Sequence, residues 1–84
     1  MKKEPKTLKY IVFQHRGMLT PVIFSRFVSH DIIANCQGLF FGVISAGFCN
    51  IRYGKGIEVY VFGRSITLNI DSRPEDTEII KRLF

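Results

Sequence analysis

The chain has 84 residues, 46% of them hydrophobic, 13% aromatic and 23% charged, a balance that makes one small globular domain and excludes both a multidomain enzyme and an intrinsically disordered segment. The formal charge is +5, but Lys2, Lys3, Lys6 and Lys9 against Glu4 place +3 of it in the first nine residues and leave a nearly balanced remainder. No apolar run approaches the ~18 residues of a membrane span. Leu8–Phe13 is also too short for the apolar region of a secretion signal, so a cytoplasmic protein is expected. Residues 1–7 are expected to form a flexible basic tail ahead of a single domain over residues 8–84.

Leu8–Phe13 is rich in β-branched and aromatic residues on both alternating sides, which predicts a strand covered on both faces. After a turn at His15-Arg16-Gly17, a second strand runs from Met18 to Phe24. It contains Pro21, which cannot donate to a ladder, so it belongs at an edge or at a bulge. Next come helix-start signals: Ser29 to cap, Asp31 in the first turn and Val28 to staple onto Ile33. Ile32, Ile33 and Cys36 are expected on the buried face of this short helix, with Gly38 ending it.

Gly54-Lys55-Gly56 reads as a hairpin loop that pairs Tyr53 with Ile57, Arg52 with Glu58, Asn50 with Tyr60 and Phe48 with Phe62. A second tight turn at Gly63-Arg64 would add a third strand, pairing Phe62 with Ser65, Tyr60 with Thr67 and Glu58 with Asn69. Cys49, Ile51, Ile57, Val59, Val61, Ile66, Leu68 and Ile70 then share a core face. The small residues Ser45-Ala46-Gly47 predict a bulge or a close approach of another backbone. Ser72 and Glu75 form a capping box with Pro74 in the first turn of a final helix, whose stripe is Ile79, Ile80, Leu83 and Phe84. The expected fold is α+β: a small antiparallel sheet in the order β-β-α-β-β-β-α, with both helices packed on one face.

No motif in the chain specifies catalysis. Ser29-His30-Asp31 has the residue types of a hydrolytic triad, but consecutive helical residues point about 100° apart and cannot hydrogen-bond in series. His30 therefore reads as an exposed first-turn residue. His15, His30, Cys36 and Cys49 lie 15, 6 and 13 residues apart, without the short pairings of a zinc site, and the two thiols read as reduced core residues. No metal, cofactor or catalytic residue is assigned, and a non-enzyme is expected.

The surface singled out is the outer face of the meander, with Phe48, Asn50, Arg52, Tyr60, Phe62 and Thr67 as its binding or oligomer residues. Three readings stand open for it: a homodimer interface, a docking surface for another protein, and a stacking platform for single-stranded nucleic acid. Nucleic-acid contacts would come from Lys2, Lys3, Lys6, Lys9 and Arg64, and Glu58 amid the aromatics weighs against them. The hydrophobic content exceeds what one sheet face and two short helices need, which favours association, with a dimer as the default.

His15-Arg16-Gly17-Met18, Ser29-His30, Ser45-Ala46-Gly47-Phe48, Gly63-Arg64-Ser65-Ile66-Thr67-Leu68 and Ser72-Arg73-Pro74-Glu75-Asp76 with Ile79-Ile80 make the chain similar, from Tyr10 onward, to short hypothetical proteins encoded in tailed phages and prophages. The resemblance implies a bacterial host cytoplasm. It also implies an accessory role, in which such proteins bind a host or phage macromolecule or sequester a small ligand. It carries over no site residues.

Overall fold

The computed structural model describes residues 6–37 and 42–84. The expectations for Met1–Pro5, including Lys2 and Lys3, for Gly38 as a helix stop, for Leu39–Phe41 and for the Cys36 side chain lie outside what is described. Strand β1 (Lys6–His15) pairs with β2 (Met18–Ser25) through the turn at Arg16-Gly17, and on its other side with β3 (Val43–Tyr53). Strand β4 (Ile57–Phe62) completes an antiparallel sheet of order β2-β1-β3-β4. β1 thus begins two residues earlier than expected and is central, and Tyr10, Ile11, Val12 and Phe13 are all buried. β2 is an edge strand, with Pro21 opposite Val12, as its missing donor requires.

β2 and β3 both run antiparallel to β1 and flank it, so the chain between them has to cross a sheet face. Helix α1 (His30–Gln37) makes that crossing. Its Ile33 and Ala34 pack with Ile11, Phe13 and Ala46. Helix α2 (Asp76–Lys81) packs on the opposite side, where Ile79 and Ile80 meet Tyr10, Val12, Cys49, Ile51 and Val59. The expectation that both helices share one face is therefore corrected. A central strand that is apolar on both sides needs cover on both, and one helix takes each. This second core layer takes up part of the apolar surplus attributed above to association, while Met18, Phe27 and Ile66 remain exposed.

The register predicted for β3 and β4 holds at every position from Tyr53↔Ile57 to Phe48↔Phe62. Ser45-Ala46-Gly47 shows both predicted features. The β1–β3 ladder shifts between Val12↔Ser45 and Phe13↔Val43, and a Cβ on Gly47 would lie 2.8 Å from the Phe62 carbonyl oxygen and 3.0 Å from Ser72 Cβ.

The third strand of the meander does not form. At Gly63 the chain takes a left-handed φ of 72° and leaves the sheet, and both the amide and the hydroxyl of Ser72 donate to the Gly63 carbonyl, at 3.1 and 2.8 Å. Strands β5 (Arg64–Ser65) and β6 (Ile70–Asp71) pair only with each other. The Ser65 hydroxyl accepts from the Leu68 amide at 3.2 Å, which turns the chain where alternation alone would extend it. Leu68 and Ile70 consequently join the cluster under α1, on the other side of the sheet from Val59 and Val61, while Ile66 is 86% exposed.

The capping box at Ser72 and Glu75 is also replaced. Glu75 makes no side-chain cap, and it is the Asp76 carboxylate that accepts the Arg73 amide at 2.9 Å. Leu83 and Phe84 lie beyond α2 and stay about half exposed, with Phe84 edge-on to Tyr53.

Candidate binding face and cleft

Cross-strand register aligns Phe24 of β2, Lys9 of β1, Phe48 of β3 and Phe62 of β4 in one row across the α1 side of the sheet. The next row is Thr7, Asn50 and Tyr60, followed by Arg52 and Glu58. Phe48 and Phe62 stack with centroids 5.6 Å apart and planes 20° apart, an arrangement favoured for aromatic pairs. The Thr7 hydroxyl donates to Asn50 Oδ1 at 2.6 Å, and Tyr60 donates to Glu58 at 3.2 Å.

α1 and the β5–β6 hairpin cover the half of this face that carries Ile11, Phe13 and Ala46. The other half is open: Tyr60 is 57% and Phe62 43% exposed, and Arg52 and Glu58 are exposed as well. Of the predicted surface residues, Phe48, Asn50, Arg52, Tyr60 and Phe62 are thus brought together. Thr67 is not on the ladder, because its strand does not form, and it lines a neighbouring cleft instead.

That cleft, of about 120 Å³, lies where the hairpin and the start of α1 meet the sheet, and its walls are Lys9, Ser29, His30, Phe48, Arg64, Ile66 and Thr67. Two of the five predicted nucleic-acid contacts, Lys9 and Arg64, therefore converge on it. Lys6 sits at the exposed start of β1 and alternates onto the other side of the sheet from Lys9.

His30 corrects a reading made from the sequence: it is buried, 3% exposed. Its Nε2 lies 2.9 Å from the Gly47 carbonyl oxygen. A carbonyl only accepts, so Nε2 carries the proton. The ring sits edge-on to Phe24 at 5.4 Å and to Phe48 at 5.9 Å. Burial lowers its pKa, and the nearby Lys9 charge lowers it further, against an opposing contribution from the Gly47 carbonyl. Among the described side chains of α1, His30, Ile33 and Ala34 face the sheet, and Ile32, expected on the buried face with Ile33, points outward. The signal available was the i, i+3 and i, i+4 spacing of His30 to Ile33 and Ala34.

Ser29 and Asp31 bond to each other at 2.5 Å, which holds the Asp31 carboxyl below its usual range. His30 takes no part in that bond, so no hydroxyl–imidazole–carboxylate relay is assembled. Cys49 is buried, and burial pushes its thiol up to about 11, far from a reactive thiolate. Among the described residues no three His, Cys, Asp or Glu side chains gather as metal ligands, and no helix is long and apolar enough to cross a membrane. No protein-family model, curated protein or solved structure matches the chain.

Proposed function

We propose that this chain is a small non-enzymatic interaction module of the phage-accessory type, which forms a homodimer and engages protein through the open half of its sheet. The contact residues are Phe48, Asn50, Arg52, Tyr60 and Phe62. The observation that carries this reading is the exposure of Tyr60 and Phe62 in adjacent cross-strand rows that neither α1 nor α2 covers, with Ile66 protruding nearby. The ladder holds these rings in place, so docking them costs little conformational entropy, and covering each contributes about 1.5–3 kcal/mol. Arg52 and Glu58, which face each other at one end, supply the polar rim that such contacts carry.

Light scattering across a concentration series tests the proposal. The expected mass is twice that of the 9.7 kDa chain, and Tyr60→Glu with Phe62→Glu should return it to one chain without loss of circular dichroism. A wild-type chain that stays single at every concentration, or a double variant that stays dimeric, overturns the proposal.

A further inference from the structure

Among the described residues, Lys9 carries a half-buried charge without a counter-anion. Its ammonium donates to the Val28 carbonyl at 2.9 Å and lies 5.9 Å from the centroid of Phe48. Among the described residues it makes no ion pair. A carbonyl and a π face orient an ammonium but do not neutralise it.

The second cation in the cleft, Arg64, is held in place by Asn69 and by Asp71, the latter at 3.2 Å. Asp71 is 77% exposed, so this ion pair is weak and does not cancel the field inside the cleft. His30 adds no positive charge there, since its one proton is committed to Gly47. The opposing charge nearby is Asp31, bonded to Ser29, and neither Asp31 nor Asp71 lines the cleft.

We infer that the cleft receives a phosphoryl group between Lys9 and Arg64. Two cations match the charge of about −1.5 to −2 on a terminal phosphoryl group better than the single charge of a carboxylate. A space of about 120 Å³ takes a group of a few heavy atoms and not a whole nucleotide. A free nucleotide and the phosphorylated end of a single-stranded nucleic acid share this chemistry.

The site is tested by nuclear magnetic resonance titration with adenosine monophosphate, adenosine and inorganic phosphate, together with fluorescence anisotropy of a 5′-phosphorylated oligothymidylate labelled at its 3′ end, all at low ionic strength. Adenosine monophosphate should shift the amide resonances of Ser29, His30 and Thr67, and adenosine should not. Lys9→Met keeps the stem over Phe48 while removing the charge, and should weaken nucleotide binding about tenfold. Arg64→Gln gives the same reading at an exposed position should Lys9→Met fail to fold, and Asp31→Asn should tighten binding.

Tighter binding of the oligonucleotide, falling steeply with salt, identifies single-stranded nucleic acid as the source; equal or tighter binding of the mononucleotide identifies a free nucleotide. The site is overturned if none of the phosphorylated probes binds, if adenosine binds as well as its phosphate, or if the charge-removing variants bind like wild type. Lys9→Met should leave the solution mass unchanged, so this site and the protein-docking face can fail separately.

Discussion

The Tyr10 hydroxyl donates to the Asp76 carboxylate at 2.5 Å, joining the middle of β1 to the first turn of α2 across 66 residues of chain. Both side chains are fully buried. Asp76 also accepts the Arg73 amide at 2.9 Å and the Arg73 guanidinium at 2.9 and 3.2 Å. A buried carboxylate is tolerable only when its oxygens are satisfied in this way, so the cluster fixes where α2 sits on the sheet. Asp76→Ala should cost about 3 kcal/mol, because it leaves the buried Tyr10 hydroxyl without its acceptor and Arg73 with only Glu75. Tyr10→Phe, which leaves Arg73 paired, should cost about 2 kcal/mol. Urea denaturation at neutral pH measures both.

The same bond sets an alkaline limit. Burial first, and then the Asp76 hydrogen bond, push the Tyr10 pKa well above the ordinary value for tyrosine. The folded state thus holds this proton more tightly than the unfolded chain. Its contribution to stability is complete below about pH 10 and falls as the pH rises beyond that. Tyr10→Phe should flatten the alkaline decline in the urea midpoint; an unchanged decline would assign it to other groups.

At the acid end the sign reverses for His30. Its pKa is lowered by burial, so the unfolded chain binds a proton there that the folded chain resists. Stability from this group is complete above about pH 6.5 and is lost as the pH falls below it. The urea midpoint should therefore drop between neutral pH and pH 5.5, and His30→Gln should reduce that slope.

Gly47 is a glycine because two backbones meet there. A methyl group at this position would lie 2.8 Å from the Phe62 carbonyl oxygen, so Gly47→Ala should cost about 1–3 kcal/mol through overpacking. Gly56, beside which nothing lies within 4 Å, should accept alanine within about 0.5 kcal/mol. Thermal melts of the two variants make the comparison.

The β1–β2 turn is built from Arg16 at φ 52° and Gly17 at φ 79°, a pair of left-handed residues for which Asn-Gly is preferred. Arg16→Asn should stabilise the protein by about 0.5 kcal/mol, and Gly17→Ala should destabilise it by about 1 kcal/mol. Both are read from urea midpoints.

What was legible in the sequence was what a few neighbouring residues decide. Gly54-Lys55-Gly56 and the alternation around it determine the register of β3 on β4, and with it the face shared by Phe48, Asn50, Arg52, Tyr60 and Phe62. Pro21 marks an edge strand, and the small residues near Gly47 mark a close approach, because a missing donor or a missing Cβ acts at its own position.

Tertiary structure decided what depends on what lies above or below a strand. Alternation shows that β1 is apolar on both sides but not which helix covers which side. It continues through Ile66 and Thr67, where the left-handed Gly63, the Ser72 bonds and the Ser65 turn take the chain away from β4 and bring Arg64 and Thr67 to the cleft. His30 is buried because the Gly47 carbonyl, distant in sequence, meets it there, and Asp76 replaces Ser72 and Glu75 at the start of α2 because Tyr10 is within reach. Spacing along a chain records local geometry, whereas burial and hydrogen-bond partners arise from contacts between distant segments, which become defined only once the layers have packed.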